Sequence, residues 1–271
     1  MANLSKFIDT SKCTACRGCQ TACKSWNQLP AEILEFKGNL QTHTNTSPIT
    51  FTYVTMQEKV ENDKMEWFFA KRGCMHCTDA ACEKACPKGA ISHTDYGAVV
   101  RDKDKCIGCG YCANYCPFGI PKVNKDEDKM YKCHLCSDRV SYNLKPACAK
   151  TCATGAIQFG NRAEMVAKAK ARLKEIKEQY PEANLYGLDQ ELLSGTNVFY
   201  LLLKKPEFYG LPTKPEVPAT LSLVKDVIQP LGKFSIGGAA AAVLASFLIT
   251  RFKGNGHKEG QLKKGGASHG K

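Results

Sequence analysis

Alternation of apolar and polar positions is clearest at Ile49-Thr50-Phe51-Thr52-Tyr53-Val54-Thr55-Met56. This stretch is rich in β-branched and aromatic residues, the pattern of a strand. A polar turn, Glu61-Asn62-Asp63-Lys64, leads to Met65-Glu66-Trp67-Phe68-Phe69, the partner strand of a predicted hairpin covering the site built from the flanking motifs. Residues 162–180 mix Ala, Met, Val, Leu and Ile with many Lys and Glu and stop before Pro181. They predict an amphipathic helix of about five turns, packed on a sheet or a partner. Asn197-Val198-Phe199-Tyr200-Leu201-Leu202-Leu203 reads as a buried strand, and the proline-punctuated run from Lys204 to Pro218 as an extended surface segment. Phe234 to Thr250 holds no charge and lies between Lys233 and Arg251. As a helix it spans about 25 Å, the short end of a bilayer core. Its small residues recur four apart, as Gly237, Ala241, Ala245 and Gly238, Ala242, Ser246, which suits packing against another membrane helix. The tail beyond carries Arg251, Lys253, Lys258, Lys263, Lys264 and Lys271 against Glu259 alone. The expectation is a transmembrane helix over 231–251 with a cytoplasmic basic tail, 252–271, and the rest of the chain on the outer face.

The chain has 271 residues, 43% hydrophobic and 24% charged. Those proportions exclude wholesale disorder, and the length buries a core without covalent staples. Met1 to Lys12 holds no apolar run of the secretory kind, so export would depend on a partner. Trp26 and Trp67 read as core or interface packing, and Asp126-Glu127-Asp128-Lys129 as a solvated loop.

The 16 cysteines change the picture, for they fall into four quartets with none left over. Cys13, Cys16, Cys19 and Cys23 follow C-x2-C-x2-C-x3-C, as do Cys106, Cys109, Cys112 and Cys116. Cys74, Cys77, Cys82 and Cys86 widen the middle gap to four residues, and Cys133, Cys136, Cys148 and Cys152 to eleven. This is the spacing of bacterial ferredoxins. Three close cysteines wrap three corners of a cubane, and the fourth, a short helical turn away, reaches the other cluster of a pair. After the fourth cysteine, Cys86-Pro87-Lys88-Gly89-Ala90-Ile91, Cys116-Pro117-Phe118-Gly119-Ile120 and Cys152-Ala153-Thr154-Gly155-Ala156-Ile157 repeat one element. A glycine turns the chain out of the helix and an apolar residue packs back beneath the cluster.

Four motifs predict two ferredoxin-like units and four [4Fe–4S] clusters. The adjacent second and third motifs, within 74–129, would hold one cluster on Cys74, Cys77, Cys82 and Cys116 and another on Cys106, Cys109, Cys112 and Cys86. By elimination the first and fourth, in 1–28 and 130–160, would hold one on Cys13, Cys16, Cys19 and Cys152 and another on Cys133, Cys136, Cys148 and Cys23. Residues 29–73 form the hairpin insertion and 161–230 a helical and extended continuation. The expected class is α+β with a terminal membrane helix. Disulfides fit poorly, because cysteines two residues apart converge on a point and strain a direct bridge. Zinc sites seldom add a third cysteine and x3-Cys-Pro. His76 and His134, inside Cys-x2-Cys turns, read as loop residues hydrogen-bonding near a cluster.

The formal charge is +12, from 38 Lys and Arg against 26 Asp and Glu. Sixteen thiolates on four cores of about +2 would add about −8, leaving roughly +4. Much of the basic signal is thus a counter-charge to clusters, and no aromatic–basic repeat suggests nucleic acid. Arg17, Lys105 and Lys132, beside the motifs, either raise local cluster potentials or, the first reading, are ordinary surface cations.

The quartets, the stretch CTACRGCQTACKSWNQLP from Cys13 to Pro30, the run NVFYLLLKKPEFYGLP and the C-terminal apolar segment resemble the iron–sulfur (β) subunit of membrane-bound respiratory formate dehydrogenase. More widely, the chain is similar to the four-cluster electron-transfer subunits of molybdopterin oxidoreductases. The resemblance implies a non-catalytic relay served by a Mo- or W-bis-pterin α subunit and delivering to a membrane cytochrome b (γ) or other quinone-reactive protein. It also implies export with a signal-bearing catalytic subunit to the outer face of the cytoplasmic membrane. By analogy the unit of the first and fourth quartets would meet the catalytic subunit and the other would lie nearer the membrane. The rivals are the equivalent subunit of a polysulfide or thiosulfate reductase or a hydrogenase, and a zinc-dependent structural or nucleic-acid-binding protein.

Overall fold

The computed structural model describes residues 3–36, 38–39, 41–61, 63–189 and 193–222. The chain divides into two units, Met1–Pro218 and Ala219–Lys271. Strand β1 (Leu4–Asp9) opens the first unit and runs through a 3-10 turn, Thr10–Lys12, capped by the Asp9 side chain, into the first cysteine loop and helix α1 (Gly18–Trp26). The hairpin β2 (Tyr53–Glu61) and β3 (Lys64–Arg72) follows, in register from Tyr53 opposite Arg72 to Glu61 opposite Lys64. It begins later and reaches farther than alternation predicts. Ser47 and Thr50 close a small turn before it, and the charged outer half stays paired across the strands, as Lys59 opposite Glu66.

Four short pieces come next: α2 (Ala81–Lys84), the hairpin β4 (Ile91–His93) with β5 (Val99–Arg101), α3 (Tyr111–Asn114), and the hairpin β6 (Lys122–Asn124) with β7 (Lys129–Tyr131). Helices α4 (Ser137–Val140) and α5 (Ala147–Lys150) carry the chain through the fourth quartet into β8 (Ile157–Asn161), α6 (Arg162–Ile176), β9 (Asn184–Tyr186) and β10 (Val198–Leu202). In the second unit α7 spans Ala219–Ser222.

One four-stranded sheet organises the first unit, in the order β8-β1-β10-β9. Strand β1 runs parallel to β10, with Lys6 opposite Val198, and antiparallel to β8, with Lys6 opposite Phe159. Phe7, Ile8, Phe199, Leu201 and Leu202 build its core, and α6 covers it with Met165, Ala169 and Ile176. The helix starts where Asn161 caps it by accepting the Ala163 N–H at 2.9 Å. It stops at Ile176, about a turn short of the expected length. Beyond it Tyr180 N–H still reaches the Ile176 carbonyl at 2.9 Å, while Lys177 Nζ donates to the Ala183 carbonyl at 2.7 Å and the chain turns away.

Among the described residues no helix is long and apolar enough to cross a membrane. The longest, α6, has 15 residues and carries Arg162, Glu164, Lys168, Lys170, Arg172, Lys174 and Glu175. The fold is therefore α+β with ferredoxin-like features. This corrects the expectation of a terminal transmembrane helix: none is found among the described residues, and the single-pass topology that rested on it is not shown there. Residues 231–251, to which it was assigned, and the tail 252–271 lie outside the described residues. Trp26 and Trp67 are not core residues: both are exposed, Trp26 donating to Asp138 Oδ2 at 2.7 Å beneath the Arg139 guanidinium.

Candidate iron–sulfur site

Two pairs of helices gather the cysteines. Helix α1 packs on α5, and α2 on α3. Cys19 and Cys23 lie on α1 and Cys148 on α5. Cys19 and Cys148 are buried with Val54 and Ile157, with Cys13 and Cys152 packed against them. Cys23 and Cys133 form a second knot with Phe51, Leu29 and Tyr131. On the other pair, Cys82 belongs to α2 and Cys112 to α3. Cys86, Cys106 and Cys112 are packed among Ala90, Ile91, Val99 and Met130.

Electrostatic neighbours overlap those groups. Cys13 faces Cys152 and Cys16. Cys23 faces Cys133, Cys148 and Cys136. Cys77 faces Cys74, Cys116 and Cys82, while Cys112 faces Cys109, Cys106 and Cys86. Members of each set suggested by the spacing thus lie near one another, and the sets also touch, Cys19 facing Cys148 and Cys82 facing Cys112.

The loops share an unusual backbone. In the first Cys-x2-Cys turn of every quartet the second x residue has positive φ: Ala15 at 54°, His76 at 50°, Gly108 at 66° and Leu135 at 59°. Three of these are not glycine, and L residues pay about 1 kcal/mol or more for that conformation. Four independent sequences adopting it at one position point to a common task, turning backbone N–H groups toward an anionic centre. Such donors are in place. Ala90 N–H reaches Cys86 Sγ at 3.2 Å, Met130 N–H reaches Cys106 Sγ at 3.4 Å, Leu135 N–H reaches Cys133 Sγ at 3.4 Å and Ile157 N–H reaches Cys152 Sγ at 3.4 Å. The repeated exit turn is equally regular: Gly89, Gly119 and Gly155, at φ of 59°, 63° and 67°, donate to the carbonyls of Cys86, Cys116 and Cys152. Ile91, Ile120 and Ile157 follow, all buried.

Burial, reinforced by neighbouring thiolates, pushes the thiols of Cys112 and Cys136 up to about 12. Bare thiolates would not persist in such packing at neutral pH, whereas bound iron strips the proton outright. The sulfurs do not converge on a point. Among the described residues no group of three or more His, Cys, Asp or Glu is placed to hold a metal ion. Cys86, Cys106, Cys109 and Cys112 instead line one narrow recess with Pro87, Ile107 and Met130. A cubane offers a different iron to each thiolate at separate corners, so its ligands stand farther apart than those of one zinc. The donor set fits a cubane.

Both histidines serve the loops by hydrogen bonding, as expected. His76 is fully buried, and its Nδ1 accepts from Val99 N–H at 3.0 Å. His134 pairs with Asn27 Oδ1 at 2.7 Å and accepts the Ser137 N–H at 3.2 Å. Of the three cations read as surface groups, Lys105 is exposed beside Asp102 and Arg17 is half-buried at the start of α1. Lys132 is the exception, only 6% exposed, with its ammonium donating to the carbonyls of Val99 and Cys133. Sequence reading also missed Lys6 and Lys71, 1% and 3% exposed, because nothing local marks them.

A family described as a 4Fe–4S dicluster domain matches residues 65–162. The formate dehydrogenase iron–sulfur subunit of Haemophilus influenzae is 43% identical over 251 residues, 90% of this chain and 80% of its own length. The chain belongs to the formate dehydrogenase iron–sulfur subunits. The nitrate-inducible formate dehydrogenase iron–sulfur subunit of Escherichia coli is 42% identical over 262 residues, 94% of this chain and 86% of its own. A component of the anaerobic dimethyl sulfoxide reductase of the same organism is 37% identical over 159 residues, 57% of this chain and 71% of its own. A formate dehydrogenase iron–sulfur subunit is an electron-transfer subunit of a molybdopterin oxidoreductase, not its catalytic one. It carries [4Fe–4S] clusters, which sets aside the zinc and nucleic-acid readings.

Proposed function

We propose that this subunit holds four [4Fe–4S] clusters, on Cys13, Cys16, Cys19 and Cys152; on Cys23, Cys133, Cys136 and Cys148; on Cys74, Cys77, Cys82 and Cys116; and on Cys86, Cys106, Cys109 and Cys112. The observation that supports the reading is the packing of cysteines from sequence-remote quartets on one another, Cys13 and Cys19 near Cys152, Cys23 on Cys133, and Cys86 with Cys106 and Cys112. Bound cubanes supply reversible one-electron carriage, here from a Mo- or W-bis-pterin subunit oxidising formate to a membrane cytochrome b or other quinone-reactive partner. The chain's own residues hold the thiolates, exclude water with Ile91, Ile120 and Ile157, and aim N–H donors at sulfur. Cys16 and Cys109 are the exposed cysteines, which supports placing their clusters at the ends of the relay. The ferredoxin-like units are 1–28 with 130–160 and 74–129, and the complex lies at the outer face of the cytoplasmic membrane, bound through the quinone-reactive partner.

The test is anaerobic purification of the complex. About sixteen iron and sixteen sulfide per chain, with dye reduction by formate, support the reading. Full clusters without formate activity favour the corresponding subunit of another molybdopterin enzyme, the reading that the dimethyl sulfoxide reductase relative supports. Iron near twelve or eight overturns the four-cluster assignment.

A further inference from the structure

Among the described residues three ammonium groups are enclosed, and they meet at one quartet. Lys6 lies on β1 in the middle of the sheet, Lys71 near the end of β3, and Lys132 between β7 and Cys133. An enclosed cation normally finds a carboxylate, because burying a charge without a partner is costly. Here the principal charge neighbours of Lys6 are Cys148, Cys133, Tyr200 and Cys136, and those of Lys132 are Cys74, Cys82, Cys133 and Cys116. No carboxylate is among them. Lys71 bears on Cys19, Cys23 and Cys133. All three therefore face Cys133.

We propose that Lys6, Lys71 and Lys132 are internal counter-cations that ease reduction of the cluster on Cys23, Cys133, Cys136 and Cys148, with Lys132 doing the same for the cluster on Cys74, Cys77, Cys82 and Cys116. This role rests on the four-cluster reading. One electron enters a cluster, the thiolates stay deprotonated, and the local charge falls by one. A fixed positive charge nearby favours that reduced form, and enclosure keeps solvent from screening it. Lys132 is fixed by its two carbonyl acceptors. Lys6 and Lys71 are fixed by their strands, Lys6 between Val198 and Phe159, and Lys71 by its pairing with Val54 and by the Tyr200 hydroxyl, which donates to its carbonyl at 2.8 Å. These are positioning residues, acting on potentials and not on substrate.

The experiment is redox titration of the purified complex followed by electron paramagnetic resonance, with Lys6→Met, Lys71→Met and Lys132→Gln and the matching arginine variants. Iron and sulfide content is measured first and reports on the four-cluster reading separately. In a variant with full content, the ratio of reduced to oxidised cluster at a fixed poise should fall about tenfold, a shift of about 59 mV for one electron. Lys6→Met should move one cluster and Lys132→Gln two, and arginine should restore both. Unchanged midpoints in fully loaded variants overturn the proposal. Should a neutral variant lose clusters, recovery by arginine at the same position supports a charge role, and equal loss with arginine overturns it.

Discussion

At the scale of single residues, the cysteine loops depend on backbone shape as much as on sulfur. Gly108 has φ of 66°, and a Cβ there would stand 2.5 Å from the carbonyl carbon of Asp128. That neighbour is backbone and cannot swing away. Gly108→Ala should therefore open the loop, cost about 1–3 kcal/mol, and remove the cluster nearest it. Iron analysis would read about a quarter lost, with the other clusters' signals intact. By contrast Ala15, His76 and Leu135 hold the corresponding place without glycine, so His76→Gly is expected to leave that turn's path unchanged while removing the bond to Val99 N–H. The ligands were legible in the sequence because their spacing is a local code. Lys6 and Lys71 were not, since their enclosure is set by strands far away in the chain, and Lys132 was misjudged for the same reason: its carbonyl acceptor at Val99 lies 33 residues back.

Individual elements show where periodicity succeeds and where it fails. Strand β10 and the hairpin announce themselves by apolar and β-branched runs. Strand β1 does not, because it has only six residues and Ser5 and Lys6 interrupt its pattern, although both are buried at the sheet's centre. Its place is fixed by β10 and β8, elements that begin more than 140 residues later. Helix α6 is tied to β1 through Arg172, whose Nε lies 3.4 Å from the buried Asp9 Oδ2. Arg172→Met keeps the apolar stem but leaves that carboxylate without its cation. Thermal or denaturant unfolding of the complex should show a loss of about 1–3 kcal/mol. Larger loss at Glu175→Gln, which removes only the exposed partner of Arg172, would contradict this role.

Across the whole molecule, metal and fold depend on each other. The segment before Cys23 meets the segment after Cys133 at two quartets, and Phe51 and Val54 are packed against both. Few covalently remote pieces would stay together without those bridges, since the enclosed thiols left behind are crowded and partly faced by cations. Oxidative removal of iron should therefore unfold the first unit cooperatively. Loss of near-ultraviolet circular dichroism and new proteolytic cuts should track iron release, and sulfide with ferrous iron should reverse both. Retention of native dichroism after complete iron loss would show that the sheet and hairpin alone suffice. The formal +12 also changes meaning at this scale: part of it sits inside, facing sulfur, where no external anion reaches.

The proposed interleaving of the first and fourth quartets carries a consequence for biogenesis. A ribosome releases Cys13, Cys16 and Cys19 early, yet Cys152, their proposed companion, is more than a hundred residues away. The adjacent motifs between Cys74 and Cys116 are complete long before that. The motif translated first would then be the last to close, and a nascent chain would carry open, oxygen-sensitive thiols until its downstream half emerged. Delivery of iron and sulfide to this protein is accordingly expected to finish after translation, starting from the middle of the chain and ending at its beginning.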